Sequence, residues 1–163
     1  IGFDGKQITS FLILSTVFAM LGSLIIGWLV KHKGTVFSYG LVLWILLTAL
    51  TLIVISPGET LFWAVGPLAG VGMGGVWVTS RAIVVELSPP EKIGEFFGIY
   101  SLAGKMASIA GPLLWGSVVW IFQDTQTLKY RAAVGALLLI TIATIFLFNT
   151  LKKQIQTNSA QIE

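Results

Sequence analysis

Five long apolar runs dominate the sequence, and each is close to the length that a membrane-spanning helix needs. A helix that crosses the hydrocarbon core of a bilayer takes about 20 mostly apolar residues. The runs cover approximately residues 8–30, 36–55, 61–87, 96–122 and 132–151. The polar segments between them are short, so consecutive helices are expected to be antiparallel. The pattern therefore predicts an all-α, polytopic membrane protein with five transmembrane helices, followed by a polar cytoplasmic tail at residues 152–163.

The composition favours lipid over water as the solvent of this chain. Hydrophobic residues make up 55% of it and charged residues 10%, whereas a soluble domain carries about 25% charged residues. In a membrane protein the net charge of +3 is interpreted through the basic residues of the loops, which set the orientation. It therefore predicts no nucleic-acid partner. Cysteine is absent and His32 is the only histidine, which leaves almost no material for a metal site or a catalytic triad. We accordingly expect no metal, no cofactor and no enzyme activity.

Basic residues near the ends of the runs predict the orientation, because Lys and Arg accumulate in cytoplasmic loops. Lys31 and Lys33 lie between the first and second runs, and Lys92 lies between the third and fourth. Lys152 and Lys153 follow the fifth. These positions share one side of the membrane if every run crosses it. The N-terminus is therefore expected outside and the C-terminus in the cytoplasm.

Small residues recur every three or four positions on three of the runs, which places them on one helix face. Such faces let helices approach closely in lipid, where no hydrophobic force drives helices together. The stripes are Ser15, Ala19, Ser23 and Gly27 in the first run, Gly66, Gly70 and Gly74 in the third, and Ser101, Gly104, Ser108 and Gly111 in the fourth. Taken singly, a stripe indicates no more than packing. Because the second and fifth runs are uniformly bulky, the pattern predicts three central helices and two peripheral ones.

The stretch from Val71 to Gly116 carries motifs of a known transporter family. "GGVWVTSR", followed by "EFFGIYSLAGKMASIAGPLLWG", resembles the major facilitator superfamily, and in particular the branch of autophagy-linked vacuolar amino-acid effluxers and their bacterial relatives. "GWLVKHKG" stands where the superfamily carries a Gly-x-Leu-x-Asp-Arg-x-Gly loop motif, with Lys31 and His32 at its acidic and basic positions. The resemblance covers essentially the whole chain. It implies that the five spans correspond to helices 8-12 of a twelve-helix fold.

The resemblance also implies a function. The chain is expected to be the C-terminal part of a secondary transporter that moves amino acids or a related metabolite by alternating access between two halves. Its expected partners are the lipid bilayer, a small-molecule substrate and the missing N-terminal half, and its expected location is the bacterial inner (plasma) membrane. The first, third and fourth spans would line the central cavity. The open alternative is a non-transporting integral-membrane subunit or scaffold, which would use the same stripes to bind a partner.

Polar and aromatic side chains within the runs are the candidate functional residues, because a charge inside the membrane usually faces a partner or water. Lys105 shares a stripe with Ser101 and Ser108 and would attract an anionic group such as a carboxylate. The alternative is a lysine that extends to the lipid head groups. Trp77 is expected either to stack on a substrate or to fill the space left by neighbouring glycines.

Arg81 and Glu95 are candidates for a cytoplasmic gate. They lie on consecutive antiparallel spans on either side of the turn that contains Pro89 and Pro90, and an ion pair between them is expected to tie the two spans together. The alternatives are an arginine that extends to the head groups, and a glutamate that serves only to complement the dipole of a helix N-terminus. Ser88 is expected to cap that helix.

Overall fold

The computed structural model describes residues 4–55, 59–125 and 128–160. In chain order the elements are α1 (Gly5–Lys33), α2 (Thr35–Ile55), α3 (Glu59–Leu87), a 3-10 turn (Pro90–Lys92), α4 (Ile93–Ile121) and α5 (Leu128–Ala160). The residues described include no strand. Each of the five α-helices is long and apolar enough to cross a membrane. The predicted all-α, five-helix membrane fold is confirmed.

A single residue, Gly34, connects α1 to α2. Its backbone has φ +87° and ψ 159°, a conformation that is essentially restricted to glycine. The Gly34 N–H donates to the Val30 carbonyl at 3.0 Å, which satisfies the end of α1. The Gly34 carbonyl accepts from the Ser38 N–H at 3.2 Å and from the Ser38 hydroxyl at 2.8 Å. Hydrogen bonds therefore join Gly34 to both helices, and this one residue makes up the whole connection between them.

Glycines on one face of α3 allow a close approach to α1. A Cβ atom added at Gly70 would overlap the carbonyl oxygen of Ser15, and one added at Gly74 would overlap that of Ala19. Gly22 of α1 has the reciprocal role, because its Cβ would lie 2.6 Å from the Cα of Val71. The small-residue stripes of the first and third spans thus pack against each other.

A second face of α3 packs against α2. Cβ atoms at Gly72 and Gly75 would lie 2.6 Å from side-chain atoms of Leu46 and Val42, respectively. Thr79 is fully buried in this contact. Its hydroxyl donates to the Gly75 carbonyl at 2.7 Å, so the buried donor is satisfied. α3 is therefore the helix around which α1 and α2 are arranged.

Within the described chain α2 is packed between other helices, whereas α4 is largely uncovered. The division into central and peripheral helices stays a prediction, because a helix that lines a cavity between two halves is also uncovered within one half. α2 lies between α3 and α5, and its Tyr39 ring meets the Phe148 ring of α5 edge-on with centroids 5.0 Å apart. By contrast, α4 has no buried residue in the described chain. The reason is that the glycines of α1 and α3 face each other, so the close contacts form between those two helices and not around α4.

Ser88 does not cap α4. Its hydroxyl donates to the Val84 carbonyl in the last turn of α3. The 3-10 turn at Pro90–Lys92 delays the start of α4 to Ile93, and Lys92 precedes it without a side-chain cap. The expected cap is wrong because a side chain five positions away cannot reach the first N–H groups of the helix.

Candidate functional site

Trp77 and Arg81 form a stacked pair on the surface of α3. They are one turn apart, and the guanidinium carbon of Arg81 lies 5.3 Å from the centroid of the Trp77 ring. This distance falls within the range of an attractive cation–π contact. Trp77 is 60% exposed, because Gly70 and Gly74, whose space it was expected to fill, pack against α1. The pair presents an aromatic and cationic surface that the described part of the chain leaves uncovered.

The expected ion pair between Arg81 and Glu95 stays a prediction, because within the described residues neither side chain forms a salt bridge in this state. Arg81 lies six residues before the end of α3, roughly 9 Å along the helix, whereas Glu95 lies only two residues into α4, roughly 3 Å. The two groups therefore stand at different depths. Glu95 is exposed in the first turn of α4, where the helix dipole favours a carboxylate.

A hydrogen bond between two hydroxyls joins α3 to α4 instead. The Ser80 Oγ and the Tyr100 Oη lie 3.0 Å apart. Sequence reasoning missed this contact, because it depends on the residue at which α4 begins. Ser80 is seven residues before the end of α3 and Tyr100 is seven residues after the start of α4, so both lie roughly 10 Å from the turn.

A cavity of about 340 Å³ lies beside this bond, between α2, α3, α4 and α5. Its walls are mainly aliphatic and aromatic, with hydroxyls and one carboxylate among them. The lining residues are Val36, Tyr39, Ser80, Ile83, Val84, Glu86, Leu87, Tyr100, Thr144, Leu147, Phe148 and Leu151. Nothing in the sequence pattern indicated this cavity, because its residues come from four helices and share no motif.

The candidate substrate residues of α4 lie on an uncovered face. Ser101, Lys105 and Ser108 are exposed, and the Ser108 hydroxyl donates to the Lys105 carbonyl at 2.7 Å. Cβ atoms added at Gly104 or Gly111 would meet nothing within 4 Å. This face is polar and smooth, and the helices described here leave it open.

The remaining packing candidates lie against neighbouring helices. A Cβ atom at Gly66 would lie 2.8 Å from the Phe11 ring, so Gly66 belongs to the α1–α3 contact together with Gly70 and Gly74. One at Gly27 would reach the Val78 side chain at 3.9 Å, an ordinary contact distance. Among the described residues, no group of histidine and acidic side chains is placed to hold a metal ion.

Comparison of the sequence with known proteins identifies the family of this chain. The family model described as Major Facilitator Superfamily matches residues 1–163. The chain is 31% identical over 100 residues to "Uncharacterized MFS-type transporter YxiO" of Bacillus subtilis, which covers 61% of this chain and 22% of that protein. It is 30% identical over 130 residues to "Inner membrane metabolite transport protein YgcS" of Escherichia coli, covering 75% of this chain and 27% of that protein.

A eukaryotic relative also matches. The chain is 34% identical over 85 residues to "Autophagy-related protein 22" of Eremothecium gossypii, covering 52% of this chain and 16% of that protein. The matched region thus spans less than a third of the length of each of these relatives. No solved structure matches the chain significantly.

Proposed function

Because the chain belongs to the Major Facilitator Superfamily, we propose that it forms the C-terminal part of a secondary transporter that moves a small solute by alternating access. The observation that carries the proposal is the match of the family model to residues 1–163. The five membrane-spanning helices agree with a multi-pass integral membrane protein. The names of the bacterial relatives describe transporters and no enzyme.

The uncovered face of α4 supports the division into two halves. Ser101, Gly104 and Ser108 have no neighbouring helix in the described chain. A transporter of this kind needs a second half, and a central cavity between the halves requires a helix whose polar face is not occupied within its own half. We therefore place α4 at the boundary between the two halves.

Amino acids or related metabolites are the proposed substrate class. Lys105 on α4 and Arg81 on α3 would attract a carboxylate, and Trp77 beside Arg81 would stack on an apolar or planar part of the solute. Ser101 and Ser108 would contribute hydroxyls. The name of the Escherichia coli relative refers to metabolite transport, which agrees with a small solute of this class.

Arg81 and Glu95 remain proposed gate residues of the cytoplasmic side. They lie on neighbouring helices near the same turn, and neither is held in an ion pair in this state of the described chain. Movement of α3 relative to α4 would change their separation. We propose an outside N-terminus, a cytoplasmic C-terminus and, by the name of the Escherichia coli relative, the bacterial inner (plasma) membrane.

Reconstitution of the full-length parent protein tests the proposal. Vesicles that contain it are expected to take up a mixture of radiolabelled L-amino acids saturably, whereas vesicles that contain only the 163-residue chain are expected to show no uptake. Lys105→Met should raise KM by about tenfold, equivalent to about 1.4 kcal/mol of lost binding energy. Lys6→Met is the matched control, because Lys6 is exposed in the first turn of α1.

Two outcomes would contradict the proposal. Saturable uptake by the 163-residue chain alone would show that no second half is required. Absence of flux of amino acids and of other small metabolites through the folded full-length protein would instead favour the non-transporting scaffold.

A further inference from the structure

The cavity between α2, α3, α4 and α5 has a lining that suits hydrocarbon. Its volume of about 340 Å³ lies at the lower end of the range of ligand sites, about 300–1,000 Å³. Seven of the twelve lining side chains are purely apolar, among them Val84, Leu147 and Phe148. A solute that depends on several polar contacts would find few of them here.

Three of the four hydroxyls that line the cavity are already engaged at its inner end, and the fourth belongs to Tyr39. Ser80 and Tyr100 bond to each other at 3.0 Å. The Thr144 hydroxyl donates to the Ile140 carbonyl of its own helix at 2.9 Å. These groups therefore need no polar ligand to satisfy them, and the inner end can accept an apolar one without leaving them unpaired.

The other end of the cavity reaches the surface at the end of α3 and near the end of the membrane span of α5, which runs from Leu128 to Lys153. Leu87 of α3 and Leu151 of α5 line it and are 51% and 56% exposed. Seven residues separate Ser80 from Leu87, so the cavity extends roughly 10 Å along α3. That depth is about a third of the hydrocarbon thickness of a bilayer, roughly 30 Å. An elongated apolar ligand can therefore enter from the head-group level.

Glu86 is the charged residue among the lining side chains, and it lies at this outer end. It is exposed, so its carboxylate can meet the polar part of a ligand whose apolar part is inside. A carboxylate in that place attracts an ammonium group and repels an anionic one.

We propose that the cavity binds one acyl chain of a phospholipid whose head group carries an ammonium, with that ammonium beside Glu86. The apolar walls select the chain, the bilayer supplies it at high concentration, and the charge of Glu86 selects the head group. This site is separate from the candidate substrate residues of α4. The proposal depends on the membrane location of the chain and not on the identity of the transported solute.

Photolabelling of the full-length parent protein in nanodiscs tests this site. The two probes are phosphatidylethanolamine and phosphatidylglycerol with the same diazirine-bearing acyl chain, and labelled peptides are mapped by mass spectrometry. Phosphatidylethanolamine should label the peptides containing Val84 and Phe148. Its labelling should exceed that by phosphatidylglycerol roughly two- to fivefold, the range that an exposed ion pair supports.

The neighbouring valines Val84 and Val85 provide a matched test of whether the lipid chain occupies the cavity. Val84→Trp places an indole in the cavity and should lower the labelling at least several-fold. Val85→Trp should leave it unchanged, because Val85 is 50% exposed and is not part of the lining. If Val84→Trp does not fold, Thr144→Leu replaces it, with Thr141→Leu as control, because both threonines bond the carbonyl four residues earlier.

Glu86→Gln should abolish the preference for phosphatidylethanolamine, whereas Glu91→Gln should preserve it, because Glu91 is exposed but does not line the cavity. Absence of label from the cavity peptides, or equal label in Val84→Trp and Val85→Trp, would overturn the proposal. Equal labelling by the two lipids would overturn the head-group assignment. If the amino-acid mixture lowered the photolabelling of these peptides, the cavity would be assigned to the transported solute instead.

Discussion

The hydroxyls of Ser80 and Tyr100 lie 3.0 Å apart and join α3 to α4 at the same distance from the turn between them. The contact fixes the relative height of two helices that otherwise share little packing, because α4 has no buried residue in the described chain. It also lies at the inner end of the cavity that we assign to a lipid chain. The bond therefore connects the packing of α3 and α4 to the proposed lipid site.

Removal of this bond should destabilise the full-length protein slightly. Ser80→Ala and Tyr100→Phe each remove one partner, and hydrogen bonds between helices in membranes are worth about 0.6 kcal/mol on average and about 1.7 at most. The double variant should lose no more stability than the more damaging single variant. Thermal unfolding in detergent measures the effect. Tyr130→Phe, which alters an exposed tyrosine on α5, should be neutral, and strictly additive losses would contradict the pairing.

Gly74→Ala should weaken the contact between α1 and α3. The added methyl group would overlap the Ala19 carbonyl oxygen, so the helices must separate, and overpacking of this kind costs about 1–3 kcal/mol. Gly5→Ala is the control because a Cβ there meets nothing within 4 Å. Equilibrium unfolding of both variants provides the measurement. Equal stability of the two would show that α1 and α3 are less close than described.

Gly34→Ala should destabilise the turn between α1 and α2. Alanine at φ +87° and ψ 159° occupies a region that costs about 1–3 kcal/mol for a residue other than glycine. Gly94→Ala, in the first turn of α4 with free space around it, should be neutral or slightly stabilising. The same unfolding experiment compares them. A neutral Gly34→Ala would mean that the turn adopts another conformation.

Arg81 should couple to Trp77, over whose ring it lies in the described state. In a double-mutant cycle, Trp77→Leu and Arg81→Gln are expected to show a coupling free energy of about 0.5–1 kcal/mol, the range of exposed cation–π pairs. If Arg81 and Glu95 form the proposed gate, the charge-swapped Arg81→Glu/Glu95→Arg protein should recover part of the transport lost in its single variants. No recovery in the swapped protein would show that the two residues act apart.

The topology can be tested with single cysteines, since the chain contains no cysteine of its own. Lys33→Cys and Asp124→Cys replace exposed residues at opposite ends of the helices. In a full-length background cleared of other cysteines, an impermeant thiol reagent added outside cells should label Asp124→Cys only. Labelling of Lys33→Cys, or of both, would contradict an outside N-terminus.

The sequence by itself determined the five spans, because the cost of burying polar groups in lipid depends on the local length and composition of each run. It also identified Gly70 and Gly74 as sites of close helix contact, since only residues without a bulky side chain permit it. Gly34 ends the stretch "GWLVKHKG", which the family resemblance placed in a loop. Each of these features depends on the local sequence and not on tertiary contacts.

The tertiary structure decided which residues meet. A shift of one residue in the start of a helix turns every side chain by about 100° and moves it by about 1.5 Å along the axis. Because α4 begins at Ile93, Glu95 and Arg81 lie at different depths. The same start places Tyr100 at the level of Ser80. The cavity arises in the same way, because its walls come from four helices whose relative rotation no single segment encodes.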